Sequence, residues 1–169
     1  MLKRVKLAAP VASRARVAIV ASEYNRKHVD GLLDAAVHGL RTTGAEVEVF
    51  RVPGAFEIPV AAESLLHEAR GRWSALICLG VIIRGETAHA DLVGTTVTGA
   101  LMGIAVRHRV PVIHEVLLVA NQSQADARCL DARYNRGVEA ARSALAMARL
   151  MPRLRGGRKG GGGQRARPV

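Results

Sequence analysis

Apolar and polar positions change period repeatedly along this chain, and each change marks an element. Arg16 to Ala21 carries Val17, Ile19 and Val20, a short β-branched run that reads as a first strand. Asp30 to Arg41 then places Leu32, Leu33, Ala36, Val37 and Leu40 on one helical stripe, closed by Gly44. From Glu46 to Val49 acidic and apolar residues alternate, Phe50 and Val52 extend the run, and Pro53 and Gly54 break it. Alternation gives this second strand one wetter face, as an edge strand has. Ile58 to Ala69 reads as a helix, and Ser74 to Leu79 is apolar as a strand covered on both faces should be. Ala90 to His108 reads as a helix with Val93, Val97, Ala100, Leu101 and Ile104 on one face. Pro111 to Leu118 gives a fourth strand, and helical stretches follow at Gln122 to Arg128 and Val138 to Leu150.

Strand and helix thus alternate four times. The economical solution is an α/β fold with a parallel sheet, right-handed crossovers and helices on both faces. A four-stranded, flavodoxin-like, three-layer α/β/α sandwich fits the pattern. Residues 16–152 form one domain in this reading, preceded by a basic extension at 1–15. Gly156 to Gly163 holds six glycines and buries too little surface to offset its ordering entropy, so 153–169 is expected to be a disordered tail.

Composition sharpens this picture at a few points. Aromatic residues make up only 3% against 49% hydrophobic overall, which favours tight helix-on-sheet packing over a core built around rings. No apolar run reaches the roughly 18 residues of a membrane span. Leu7 to Ala12, interrupted by Pro10, is too short for a secretory apolar segment, although Arg and Ser without acids near the start would also suit an organellar presequence. Cys78 and Cys129 have no metal or redox spacing and read as reduced thiols of a cytoplasmic protein. The formal charge of +11 suggests nucleic acid, but its location argues otherwise. Eleven of the 25 bases lie before residue 17 or after Pro152, leaving 14 to face all 14 acids in a neutral body. Tails of this kind give non-specific, salt-sensitive contact at most.

Candidate chemistry gathers in the loops that follow the strands. After the third strand come Gly80, Val81, Ile82, Ile83, Arg84, Gly85, Glu86, Thr87, Ala88 and His89, leading into a helix. Free backbone N–H groups and a helix N-terminus at the carboxyl end of a buried strand form a site for phosphate-bearing ligands. His89 reads either as a solvent-facing helix residue or as a proton shuttle, since imidazole titrates near neutrality. Gly85 and Thr87 read as a turn and cap, which is also the geometry of a phosphate cradle. In the loop from Pro53 to Pro59, Gly54 permits close approach of a ligand. Glu57 there is either a helix-start acid or an acceptor for polyol hydroxyls. Tyr24 and Asn25 lie just past the first strand, where an aromatic ring against a planar heterocycle contributes about 0.5–1.5 kcal/mol. Arg128 reads as a solvated helix face, while His114 and Glu115 are unusual residues for a buried strand and mark a sheet end, a subunit contact or a pocket wall.

Taken in order, these segments resemble the lumazine synthase family. The resemblance runs from Tyr24 and Asn25 to Asn135, Arg136, Gly137, Val138, Glu139, Ala140 and Ala141. Its most specific blocks are Val52 to Pro59 and Gly80 to His89, and both tails lie outside it. The resemblance implies a cofactor-independent, metal-free transferase of riboflavin biosynthesis. Such an enzyme joins 5-amino-6-(D-ribitylamino)uracil to 3,4-dihydroxy-2-butanone 4-phosphate with loss of phosphate and water. It further implies that His89 transfers protons and that Tyr24, with Asn25 beside it, stands where the family stacks Phe or Trp on the pyrimidine. Ala55, Phe56 and Glu57 then bind the ribitylamino side, Val81, Ile82 and Ile83 frame the ring, and His114 stands at the ring-facing wall. Gly85, Glu86, Thr87 and Arg128 bind phosphate. Homo-oligomers are implied too, as pentamers or multiples up to sixty-subunit shells, with His89 and Arg128 expected from one subunit.

Three departures stand out. Ala90 replaces an aromatic residue after the histidine, and His114 with Glu115 replaces a Phe-Gly pair. Cys129 to Tyr134 replaces a Gly-rich, Lys-containing connection, which leaves shell assembly open. The first two motivate the alternative of a non-catalytic flavin- or lumazine-binding paralogue.

Overall fold

The computed structural model describes residues 14–68 and 71–156. The basic extension up to residue 13, the predicted helix end at Ala69 and the tail from residue 157 lie outside the described residues. The elements are β1 (Arg16–Ser22), α1 (Arg26–Arg41), β2 (Glu46–Val52), a 3-10 turn (Ala55–Glu57), α2 (Ile58–Glu68), β3 (Ala75–Ile83), α3 (His89–His108), β4 (Val112–Val119), α4 (Gln122–Cys129) and α5 (Arg136–Gly156). The four strands pair in parallel in the order β2-β1-β3-β4. The expected three-layer sandwich is therefore present, with β2 at an edge.

Strand parity divides the core. Val17, Ile19, Ala21, Ala75, Ile77, Leu79 and Val81 face α1 and α5, where Leu32, Ala36, Leu40, Ala140, Ala141 and Ala144 complete one apolar layer. Ala18, Val20, Leu76, Cys78 and Val116 point the other way, against Ile58, Ala62 and Leu66 of α2 and Val97, Leu101 and Ile104 of α3. Central strands β1 and β3 are buried on both faces, whereas β2 keeps an intermediate or exposed character throughout. Burial holds the Cys78 thiol well above its usual range and pushes Cys129 up to about 12.

Several boundaries differ from the sequence reading. β3 continues four residues past Leu79 to Ile83, so Val81, Ile82 and Ile83 are strand rather than turn. Gly80 lies within the strand as a packing glycine: a Cβ there would meet Val116 Cγ1 at 3.1 Å and Ile58 Cδ1 at 3.2 Å. α1 begins at Arg26, not Asp30, after Asn25 takes a left-handed conformation at φ 55°. Its first turn buries His28 and Val29, one of them a polar side chain that apolar periodicity overlooks. α5 extends at both ends and passes through Pro152 to Gly156, so 153–156 belong to a helix rather than to a disordered tail.

α2 and α3 are joined by a charged clamp. Glu63 accepts hydrogen bonds from Arg107 Nη2 at 2.5 Å and from His108 Nε2 at 2.9 Å. The Arg107 hydrogen bond, then that of His108, lowers the Glu63 carboxyl from 4.5 to about 2. A carboxylate depressed in the fold adds stability above its unfolded pKa and loses it on acidification. The clamp is therefore expected to weaken between pH 4.5 and about 2. Glu63→Gln should show a shallower loss of denaturation midpoint across that window than the natural chain. Equal slopes would contradict this.

By length and composition α3, with a mean hydropathy of 1.2, is the one described helix apolar enough to cross a membrane. Its inner stripe of Val97, Leu101 and Ile104 is instead buried in this fold, while Leu92, Met102 and Val106 stand exposed on its outer face.

Candidate active site

A cleft of about 450 Å³ opens at the carboxyl rim of the sheet, where the segments after β1, β2 and β3 meet the start of α3. The first wall is Tyr24 and Asn25. Their loop is fastened to the end of β2 by Glu23 N–H to Val52 O at 2.7 Å and Tyr24 N–H to Pro53 O at 3.0 Å. Asn tolerates the left-handed backbone at Asn25 better than most residues. Its Nδ2 donates to Val81 O at 2.7 Å, tying this loop to β3. That bond makes Asn25 a brace of the rim as well as a lining residue. Tyr24 is left 74% exposed, an aromatic ring held out over the opening.

The second wall is the turn from Gly54 to Glu57. Glu57 Oε2 accepts the Gly54 N–H at 2.9 Å, the one half of a capping box that a glycine N-cap allows, and this bond fixes the carboxylate at the lip. Phe56 is 61% exposed beside it. Two large rings at one opening are notable in a chain with so few aromatics. Val81, Ile82 and Ile83 form the floor because β3 runs on to its rim.

The third wall is Gly85, Thr87 and His89. A Cβ on Gly85 would meet nothing within 4 Å, so its backbone is open to approach. His89 is the first residue of α3, whose opening turn leaves N–H groups without intrahelical partners. Arg84 braces this loop, donating to Asp91 Oδ1 from Nη2 at 2.5 Å and Nε at 3.1 Å. Floor, ring-bearing lips and N–H-rich end together suit a molecule with an apolar planar part and an anionic end. Among the described residues no cluster of three or more His, Cys, Asp or Glu is placed to hold a metal ion.

The cleft thus collects Tyr24, Asn25, Ala55, Phe56, Glu57, Val81, Ile82, Ile83, Gly85, Thr87 and His89, all singled out in the sequence. Gly54, Ala90 and Val93 also line it. Gly54 stood out in the sequence as a point of close approach and Ala90 as a departure from the family pattern, whereas Val93 was read only as part of the apolar stripe of α3. Three expected residues do not line it. Glu86 is exposed beside the cleft loop. His114 on β4 is level with Cys78, five residues short of Ile83 or about 16 Å along a strand. There Thr98 Oγ1 gives its proton to Gly94 O at 2.7 Å and receives one from His114 Nε2 at 3.0 Å. Burial holds this imidazole below its ordinary value.

Arg128 sits on α4, its Nη1 donating to Gln124 O at 3.4 Å, and does not reach the cleft of its own chain. Within one chain, then, Arg128 and His89 do not line the same cleft. α4 follows the edge strand β4, whereas the cleft lies at the ends of β1, β2 and β3.

A family model described as 6,7-dimethyl-8-ribityllumazine synthase matches residues 14–152. The chain belongs to that family. It is 41% identical over 143 residues to the 6,7-dimethyl-8-ribityllumazine synthase of Xanthobacter autotrophicus, covering 83% of this chain and 87% of the relative. To the synthase of Salinibacter ruber it is 40% identical over 144 residues, with 83% and 91% covered. The archaeal synthase of Thermococcus onnurineus is 40% identical over 139 residues, with 82% and 90% covered. The family match includes every residue of the cleft. It also includes the lumazine synthase segments that depart from the common pattern, among them Ala90, which is buried at the cleft wall.

Proposed function

We propose that this chain is a 6,7-dimethyl-8-ribityllumazine synthase that condenses 5-amino-6-(D-ribitylamino)uracil with 3,4-dihydroxy-2-butanone 4-phosphate. The observation that carries the reading is the convergence of the Tyr24, Glu57 and His89 loops on one cleft, in a chain of this family. The uracil ring lies on the Val81–Ile83 floor under Tyr24, and the ribityl hydroxyls reach the Glu57 carboxylate. The phosphate sits at Gly85 and Thr87 against the start of α3. The amine attacks the ketone carbon and water leaves as the imine forms. Loss of a carbon-bound proton then expels phosphate and leaves an enol, which tautomerises to a ketone. The second amine attacks that ketone and closes the ring with loss of a second water. His89 moves the protons these steps require. Holding both substrates together contributes about 7–11 kcal/mol towards the barrier.

The site is completed by a second copy. Arg128 and His114 lie outside the cleft of their own chain, and the exposed Leu92, Met102 and Val106 give α3 an apolar outer face that self-association would cover. A head-to-tail ring, a pentamer or a multiple of pentamers, brings Arg128 of one copy to the phosphate end of the next. We place the enzyme in the cytoplasm, where its two buried thiols remain reduced. No observation favours a paralogue that binds without turnover.

Mixing purified protein with both substrates should yield the fluorescent lumazine and stoichiometric phosphate, with a solution mass several times the 18.0 kDa chain. A monomer without turnover would refute the reading. The tail serves no step, so truncation after Gly156 is expected to leave kcat and both KM values unchanged. Cutting at residue 153 would instead remove Arg155, whose Nη2 donates to Arg109 O. Collapse of turnover on truncation after Gly156 would place the tail in the site.

A further inference from the structure

One buried carboxamide joins three helices. Asn135 precedes α5 and is 9% exposed. Its Oδ1 accepts the Gly137 N–H at 2.8 Å, as an N-cap does. Its Nδ2 donates to Cys129 O at 2.5 Å and Gly31 O at 3.0 Å, using both amide hydrogens. The surrounding backbone is packed without slack. A Cβ on Gly31 would lie 2.5 Å from Cys129 O, and one on Gly137 would lie 2.0 Å from Leu32 O. The last carbonyl of α4 is therefore pinned against α1 by Asn135, one residue beyond Arg128. A second tie holds the same helix: His28 Nε2 lies 2.8 Å from Asp126 Oδ1, with Gln122 also in contact.

We infer that Asn135 is a positioning residue for the phosphate-bearing substrate, acting through Cys129 to fix the height and rotation of α4 and so the reach of Arg128. This rests on the reading of Arg128 as the phosphate ligand. The capping bond stabilises α5 whatever α4 carries. The two bonds of Nδ2 hold the end of the helix that bears the guanidinium. The two functions are chemically separable. Serine at this position retains an oxygen to cap Gly137 but has no amide to span to Cys129 O. Aspartate retains the shape and the cap but turns a carboxylate oxygen toward two carbonyl oxygens.

The test is steady-state kinetics on the full-length oligomer, with inorganic phosphate as a competitive probe. Asn135→Ser should raise the KM for the butanone phosphate and the inhibition constant of phosphate together, each by about tenfold. The KM for the aminouracil should stay put. Asn135→Asp should do the same more strongly where it folds, and Asn135→Ser keeps the test open where it does not. The double variant with Arg128→Ala should be no worse than Arg128→Ala alone in phosphate inhibition, because the residue being positioned is gone. Additive losses would overturn the inference, as would a Ser variant that moves both KM values equally or moves only the melting temperature. Should Arg128→Ala leave phosphate inhibition unchanged, the Arg128 reading itself fails. Should Arg128→Ala weaken it while Asn135→Ser does not, only the positioning role fails.

Discussion

Replacing His89 by alanine should lower kcat by about 10²–10⁴ while leaving both KM values within a few-fold. The ring stands at the first position of α3, beside Gly85 and Thr87 and across the cleft from Glu57. Imine formation, phosphate loss and ring closure each move a proton. An imidazole exchanges protons at neutral pH with small driving-force penalties in either direction. Glu57 is a poor substitute because its Oε2 already holds the Gly54 N–H. Turnover should survive at a reduced level, since the floor, the lips and the N–H cradle still hold both substrates together. Single-turnover measurement of lumazine fluorescence separates the chemical step from release. An unchanged chemical step would remove His89 from the mechanism.

The largest loss of stability is expected from Gly137→Ala. Gly137 lies in the opening turn of α5, where its Cα approaches the backbone of α1 so closely that an added Cβ would sit 2.0 Å from Leu32 O and 2.9 Å from Leu32 C. Both neighbours are backbone, so no side-chain rotation relieves the overlap. α1 and α5 form the same apolar layer, and separating them opens the contacts of Leu32, Ala36, Ala140 and Ala141. A loss of about 3 kcal/mol or more follows from overpacking against rigid atoms, a large part of the stability of an ordinary domain. Urea denaturation at fixed protein concentration should show a clearly lower midpoint. An unchanged midpoint would show that the helices separate freely.

Much of this was legible in the chain itself, for identifiable reasons. β-branched runs and 3.6-residue stripes report burial, so the sheet, its helices and the edge position of β2 could be read from pattern. The third strand was read only to Leu79, where its apolar run meets Gly80, and a glycine in a strand looks the same whether it ends the strand or makes room for Val116 and Ile58. The start of α1 was missed because its first turn buries only one apolar residue, Val29, beside the polar His28. Of the eleven cleft residues found, Tyr24, Asn25, Glu57, Gly85, Thr87 and His89 were read from their place after strands, and Ala55, Phe56, Val81, Ile82 and Ile83 only from the family resemblance. The three that do not line it, Glu86, His114 and Arg128, share a different cause. A motif fixes where a residue falls in sequence, and it says nothing about where its side chain points in the fold. Asn135 went unnoticed as a brace because its partners, Gly31 and Cys129, are 104 and 6 residues away and offer only carbonyls.

The most direct test of a site shared between copies is complementation between two defective chains. His89→Ala and Arg128→Ala variants, each nearly inactive alone, would be unfolded together and refolded as a mixture. If the imidazole and the guanidinium serve one cleft from different copies, random head-to-tail assembly leaves about a quarter of the clefts with both groups intact. Activity should then rise well above that of either variant alone, towards that fraction of the natural rate. If both groups act from a single chain, every cleft in the mixture carries a defect. Activity no higher than the mean of the two variants would contradict the shared site.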